Sequence, residues 1–80
     1  MVESLRDRNK MVGIKQTMKA VENGETKLVY VAKDADERIS SKIIESCKKH
    51  NVQVIYVDTM KLLGKACNID VGAAVACILD

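Results

Sequence analysis

Eighty residues leave room for one small domain and no second core. With 48% hydrophobic and 30% charged residues, the chain is expected to fold without a metal or disulfides. A net charge of +2 is too small to announce nucleic-acid binding by itself, so any electrostatic argument rests on where the lysines cluster.

The chain begins MVESLRDRNK, charged where a leader would need an apolar centre. No apolar run nears the ~20 residues of a membrane span. A cytoplasmic location away from membranes is therefore expected. Residues 3–9 read as a short helix with Leu5 as its main apolar contact, and Met11-Val12 as a very short strand before Gly13. From Ile14 to Asn23, Ile14, Met18 and Val21 recur at i, i+4 and i+7 and predict one apolar helix stripe, stopped by Asn23-Gly24. Lys27 to Lys33 encloses the unbroken run Leu28 to Ala32, which suits a strand covered on both faces. A helix follows from Asp36, its natural N-cap, to His50, with Ile39, Ile43, Ile44 and Cys47 inward. Gln53 to Val57 reads as a second buried strand. Asp58 or Thr59 caps a short helix through Ala66 with Met60, Leu63 and Cys67 inward, and Ala73 to Leu79 gives the last strand. This alternation predicts an α/β class fold, a three-layer α/β/α sandwich around a small mixed four-stranded sheet.

Cys47, Cys67 and Cys77 make an odd count without a CxxC pair and fall in apolar runs. They are expected to be buried free thiols rather than zinc ligands, disulfides or nucleophiles. That usage fits a reducing compartment.

Three stretches carry chemistry. In GIKQTMKAVENG, Lys15 and Lys19 are i,i+4 neighbours and Gln16 and Lys19 are i,i+3 neighbours, opposite the apolar stripe. Free N–H groups in the first turn suit a phosphate, and Gly13 has no side chain to hold a ligand backbone away. Lys15 and Gln16 can donate to base edges, and Lys19 can meet a phosphate as a point charge. The same residues serve as the solvated side of an amphipathic helix, and spacing alone favours that plainer reading. The second stretch, Asn68-Ile69-Asp70-Val71-Gly72-Ala73-Ala74, sets branched aliphatics around an acid and can cover an unstacked base. Its plainer reading has Ile69 in the core and Val71 starting the strand. In the third, KDAD, Asp34 and Asp36 suggest a magnesium site only weakly, because no further acid stands nearby with an evident shared geometry and capping accounts for Asp36. His50 reads as a surface cap. Tyr30 and Tyr56 both fall inside strand runs, so no exposed stacking platform is expected.

Taken together and in this order, GIKQTMKAVENG, KLVYVAKDAD and MKLLGKACNIDVGAAV resemble the ribosomal kink-turn RNA-binding family, closest to its small bacterial ribosomal-protein-like members. The likeness runs from about Met11 to Leu79. It implies binding, without catalysis, to a sharply bent RNA duplex with a short bulge and adjacent sheared G·A pairs. By the resemblance, Gly13, Lys15, Gln16 and Lys19 meet the G·A pairs, and Asp36 meets a bulged nucleotide. Ile69, Asp70, Val71, Gly72 and Ala73 cover the protruding base.

This chain also departs from the family pattern. The family most often has Asn then Glu at Lys15 and Gln16, and Lys15 can only donate. Relatives often have Pro at Glu37 and Gly at Asn68. Some carry Lys where Met60 stands, with Lys65 or Lys61 as the replacement phosphate contact. The expected partner is structured RNA containing a kink-turn, in the ribosome or another RNA, with no DNA, no membrane, no metal and no cofactor, and the protein is expected to be a monomer. The alternative is a protein-interaction or small-molecule module built on the KDAD and NIDVG loops.

Overall fold

The computed structural model describes residues 9–79. Along them run β1 (Lys10–Val12), α1 (Ile14–Glu22), β2 (Thr26–Ala32), α2 (Glu37–Lys49), β3 (Gln53–Val57), α3 (Met60–Ala66) and β4 (Val75–Leu79). The expected helix over residues 3–9 lies outside the described residues except for Asn9, whose carbonyl accepts the Leu79 N–H at 2.9 Å.

The strands form one mixed sheet in the order β1-β4-β2-β3. Strand β4 runs antiparallel to both β1 and β2, whereas β2 and β3 are parallel. The central strands are apolar on both faces, as a doubly covered strand must be. Val29, Val31, Val75 and Cys77 meet Val21, Ile43 and Cys47 of α1 and α2 on one side. Tyr30, Ala32, Ala76 and Ile78 meet Leu63, Ala66 and Cys67 at α3 on the other. This is the three-layer α/β/α sandwich around a mixed four-stranded sheet that the element pattern predicts. Fully burying a side chain such as Ile43 or Leu63 contributes about 2 kcal/mol to holding the layers together.

Two expectations are corrected here. Strand β3 is not buried on all sides: it pairs only with β2 and forms an edge of the sheet. Tyr56 consequently stands 52% exposed, so an accessible aromatic does exist, whereas Tyr30 is enclosed. In α1 the fully buried positions are Thr17, Ala20 and Val21. Ile14 and Met18 are only half-buried, so the stripe is rotated toward Thr17.

Among the described residues, each helix reverses direction through a left-handed residue just past the C-cap: Gly24 (φ 71), Asn51 (φ 57) and Asn68 (φ 62). Glu25 N–H bonds Ala20 O and Gly24 N–H bonds Val21 O at the end of α1. Ile69 N–H bonds Gly64 O and Asn68 N–H bonds Lys65 O at the end of α3, which is the same Schellman geometry. Asparagine takes the left-handed position at modest cost because its short polar side chain tolerates it.

Candidate nucleic-acid interface

Strands β1, β2 and β3 all run toward the same end of the sheet, and β4 starts there. The loops around Gly13, Lys33–Asp36 and Asp58-Thr59 therefore form a single rim with the end of the 67–74 segment that leads into β4. Hydrogen bonds join them directly: Gly13 N–H to Val75 O at 3.0 Å, Ala32 N–H to Ala74 O at 2.9 Å, and Lys33 N–H to Val57 O at 2.8 Å. In open α/β sheets, ligands bind outside the carboxyl ends of strands, which is this end.

Helices α1, α2 and α3 all start at this rim, and their N-termini differ. Asp36 caps α2, its side chain accepting the Arg38 N–H at 2.9 Å. Thr59 caps α3, accepting the Leu62 N–H at 3.0 Å. At α1 the N-cap is Gly13, which offers no side-chain acceptor, so the first-turn amides have no capping side chain. Gly13 has φ 110 and ψ 156, a region open essentially to glycine alone. Lys15, Gln16 and Lys19 are all exposed on this helix. Gln16 and Lys19 border a surface depression of about 380 Å³ with Met11, Ala20, Asn23 and Glu25; Lys15 is not part of its wall.

After Asn68 the chain turns back and runs along α3 toward the rim. It crosses at Gly64, where a Cβ would lie 2.0 Å from the Val71 carbonyl oxygen. It then passes Met60, whose carbonyl accepts the Ala73 N–H at 3.0 Å. Ile69 is half-buried against the α3 side of the core, and Ala73 is buried at 4% exposure. Asp70 and Gly72 are exposed, and Val71 stands out at 71%. Val71 does not begin β4, which starts at Val75. Lys61 and Lys65, one helical turn apart, flank this loop across a depression of about 290 Å³.

The KDAD carboxylates are occupied with the backbone. Besides capping α2, Asp36 forms an ion pair with Arg38 at 3.2 Å. That guanidinium, with the Arg38 N–H, holds the Asp36 carboxyl below its ordinary value. Asp34 Oδ1 accepts the Met60 N–H at 2.7 Å. Sequence reasoning missed this last bond, since nothing local marks a partner 26 residues away. It also missed the exposed Lys33–Asp58 pair at 3.3 Å, which contributes little at such exposure. Cys47, Cys67 and Cys77 are free and buried, and burial pushes their thiols up, away from the reactive thiolate. No helix among the described residues is long and apolar enough to cross a membrane.

Comparison with known proteins gives a consistent set of likenesses. A sequence model of the ribosomal protein L7Ae/L30e/S12e/Gadd45 family matches residues 2–80. An RNA-binding protein of Caldanaerobacter subterraneus subsp. tengcongensis is 52% identical over 67 residues, which cover 84% of this chain and 82% of that protein. The RNA-binding protein YbxF of Geobacillus stearothermophilus is 49% identical over 69 residues, covering 86% and 84%. Among solved structures, the Giardia lamblia 15.5kD RNA binding protein superposes with a TM-score of 0.88 at 28% identity, over 99% of this chain and 68% of that one. A Bacillus halodurans C protein of unknown function gives 0.89 at 28% identity, over 99% and 83%.

Proposed function

The chain belongs to the ribosomal protein L7Ae/L30e/S12e/Gadd45 family, and from that membership we propose that it binds kink-turn RNA through the rim and holds it kinked, without chemistry. The observation that carries this reading is the α1 N-terminus, left without a side-chain cap at Gly13 and hydrogen-bonded to Val75 beside the 67–74 loop. An open helix N-terminus attracts a phosphate, and a sharply bent duplex crowds its phosphates where such charge offsets their repulsion. Gly13, Lys15, Gln16 and Lys19 face the G·A pairs in this reading. Val71, the most exposed large apolar residue of the loop, covers the protruding base together with Ile69, Asp70, Gly72 and Ala73. Asp36 approaches the bulge, and Lys65 or Lys61 meets the backbone. Binding selects the kinked conformer from an ensemble, so the shift it produces is set by its differential affinity for bent and straight RNA.

A gel-shift titration with a kink-turn duplex and a copy lacking its G·A pairs tests the proposal. Affinity for the intact motif is expected to exceed that for the altered copy by at least roughly tenfold, about one good base-reading contact. Equal affinity for the two RNAs overturns it.

A further inference from the structure

Asp34 sits in the β2–α2 turn and takes no part in the RNA contacts proposed above. Its Oδ1 accepts the backbone N–H of Met60 at 2.7 Å, across 26 residues. That N–H belongs to the first residue of α3, where helical geometry leaves a donor without an intrahelical partner. The carbonyl of the same Met60 accepts the Ala73 N–H at 3.0 Å. A single residue thus receives Asp34 on one side of its backbone and holds the returning 67–74 loop on the other.

The loop has little freedom to settle elsewhere. Gly64 lies so close beneath it that a Cβ there would overlap the Val71 carbonyl, and a Cβ on Gly72 would come within 3.2 Å of the Met60 Cβ. Where α3 goes, residues 69–73 must follow. With seven residues, α3 is too short to hold its own position by helix propensity. Leu63 packs it onto the sheet, and its first-turn N–H groups are held by Thr59 and by Asp34; among the described residues Asp34 is the side chain that reaches those donors from another part of the rim.

We propose that Asp34 is a positioning residue for RNA recognition. Through Met60 it fixes α3 and the loop from Ile69 to Ala73 in the orientation that meets RNA, without touching RNA itself. The proposal rests on the functional reading above. It also makes a counterintuitive demand on charge. A carboxylate near phosphates repels them, so removing an ordinary surface acid tightens RNA binding. Removing Asp34 must do the opposite.

The test compares Asp34→Ala with Asp34→Asn, which drops the charge but keeps an acceptor oxygen at Oδ1. Kink-turn affinity is expected to fall roughly tenfold in Asp34→Ala, because the loop is no longer preorganised. In Asp34→Asn it is expected to stay at or above the parent value. The salt dependence should be unchanged in both, since the same phosphates are neutralised. Amide hydrogen exchange without RNA provides the second measurement. Met60 and Ala73 should exchange faster in Asp34→Ala and recover in Asp34→Asn, while β2 and β4 keep their protection and report an intact fold. Parent-like affinity in Asp34→Ala, or equal losses in both variants, overturns the proposal. A parent protein that ignores the RNA overturns the functional reading, and the role in binding with it. Unchanged exchange at Met60 and Ala73 with RNA binding intact overturns the role of Asp34 alone.

Discussion

Thr17 lies fully enclosed on the inner side of α1, and its hydroxyl is a buried side-chain oxygen without a hydrogen-bond partner among the described residues. The Cys77 thiol is near enough for that hydroxyl to draw its pKa down, against the larger upward push of burial. It is not in hydrogen-bonding geometry with it. An orphaned buried hydroxyl is costly, and replacing it by a methyl of similar shape removes the penalty while keeping the packing. Thr17→Val is therefore expected to stabilise the protein by about 1 kcal/mol, read as a higher urea midpoint with an unchanged slope. RNA affinity should not move, because Thr17 faces the core while Lys15, Gln16 and Lys19 face water. A lower midpoint would mean that the hydroxyl is satisfied after all. Thr17 escaped notice in the sequence because an apolar stripe is found by looking for apolar residues, and this helix buries a polar one at its centre.

Gly64 shows how an element depends on its neighbour. Its Cβ position is filled by the backbone of the loop that runs back along α3, so glycine there permits contact between helix and loop. In Gly64→Ala the added methyl meets a carbonyl oxygen rather than a pliable side chain, and the loop must lift. A loss of about 1–3 kcal/mol in stability is expected, the ordinary cost of overpacking. Weakened kink-turn binding should accompany it, because Val71 moves with the loop. Full RNA affinity in a folded Gly64→Ala protein would show that the loop does not recognise RNA. Such couplings mark the limit of what the sequence discloses. Strand β2 was legible from Leu28 to Ala32 because a run that is apolar on both sides has few alternatives. The α2 cap was legible because Asp36 acts on a residue two places away. The exposure of Tyr56 was not, since composition cannot say whether a strand has one neighbour or two. Val71 was ambiguous for a related reason. Only the reversal at Asn68 and the seating on Gly64 turn Ile69 inward and Val71 outward. The order of the rim segments along the chain was plain, whereas the bond from Asp34 to Met60 depends on the fold that brings them together.

For the molecule as a whole, the question is whether RNA is drawn by total charge or by its placement. A net charge of +2 is a weak long-range attraction, screened beyond about 8–10 Å at moderate salt. Towards the rim, Lys15 lies in the first turn of α1, whose start is uncapped, and Lys19 stands one turn further along, in the helix's last turn. The far end carries Lys48 and Lys49 in the last turn of α2, a helix of 13 residues that spans about 20 Å. Two double variants separate the possibilities. Lys15→Ala with Lys19→Ala, and Lys48→Ala with Lys49→Ala, each remove two positive charges and leave the chain neutral overall. If total charge governs binding, both should weaken it equally. If placement governs it, only the rim pair should. The rim pair should also flatten the plot of log affinity against log salt by roughly one to two units, because every phosphate that a lysine ceases to neutralise keeps its counterion. The α2 pair should keep the parent slope, although it forfeits favourable cation–dipole interactions at the helix C-terminus and so some stability. Equal changes in slope for the two pairs would remove the rim from its role as the RNA-facing end.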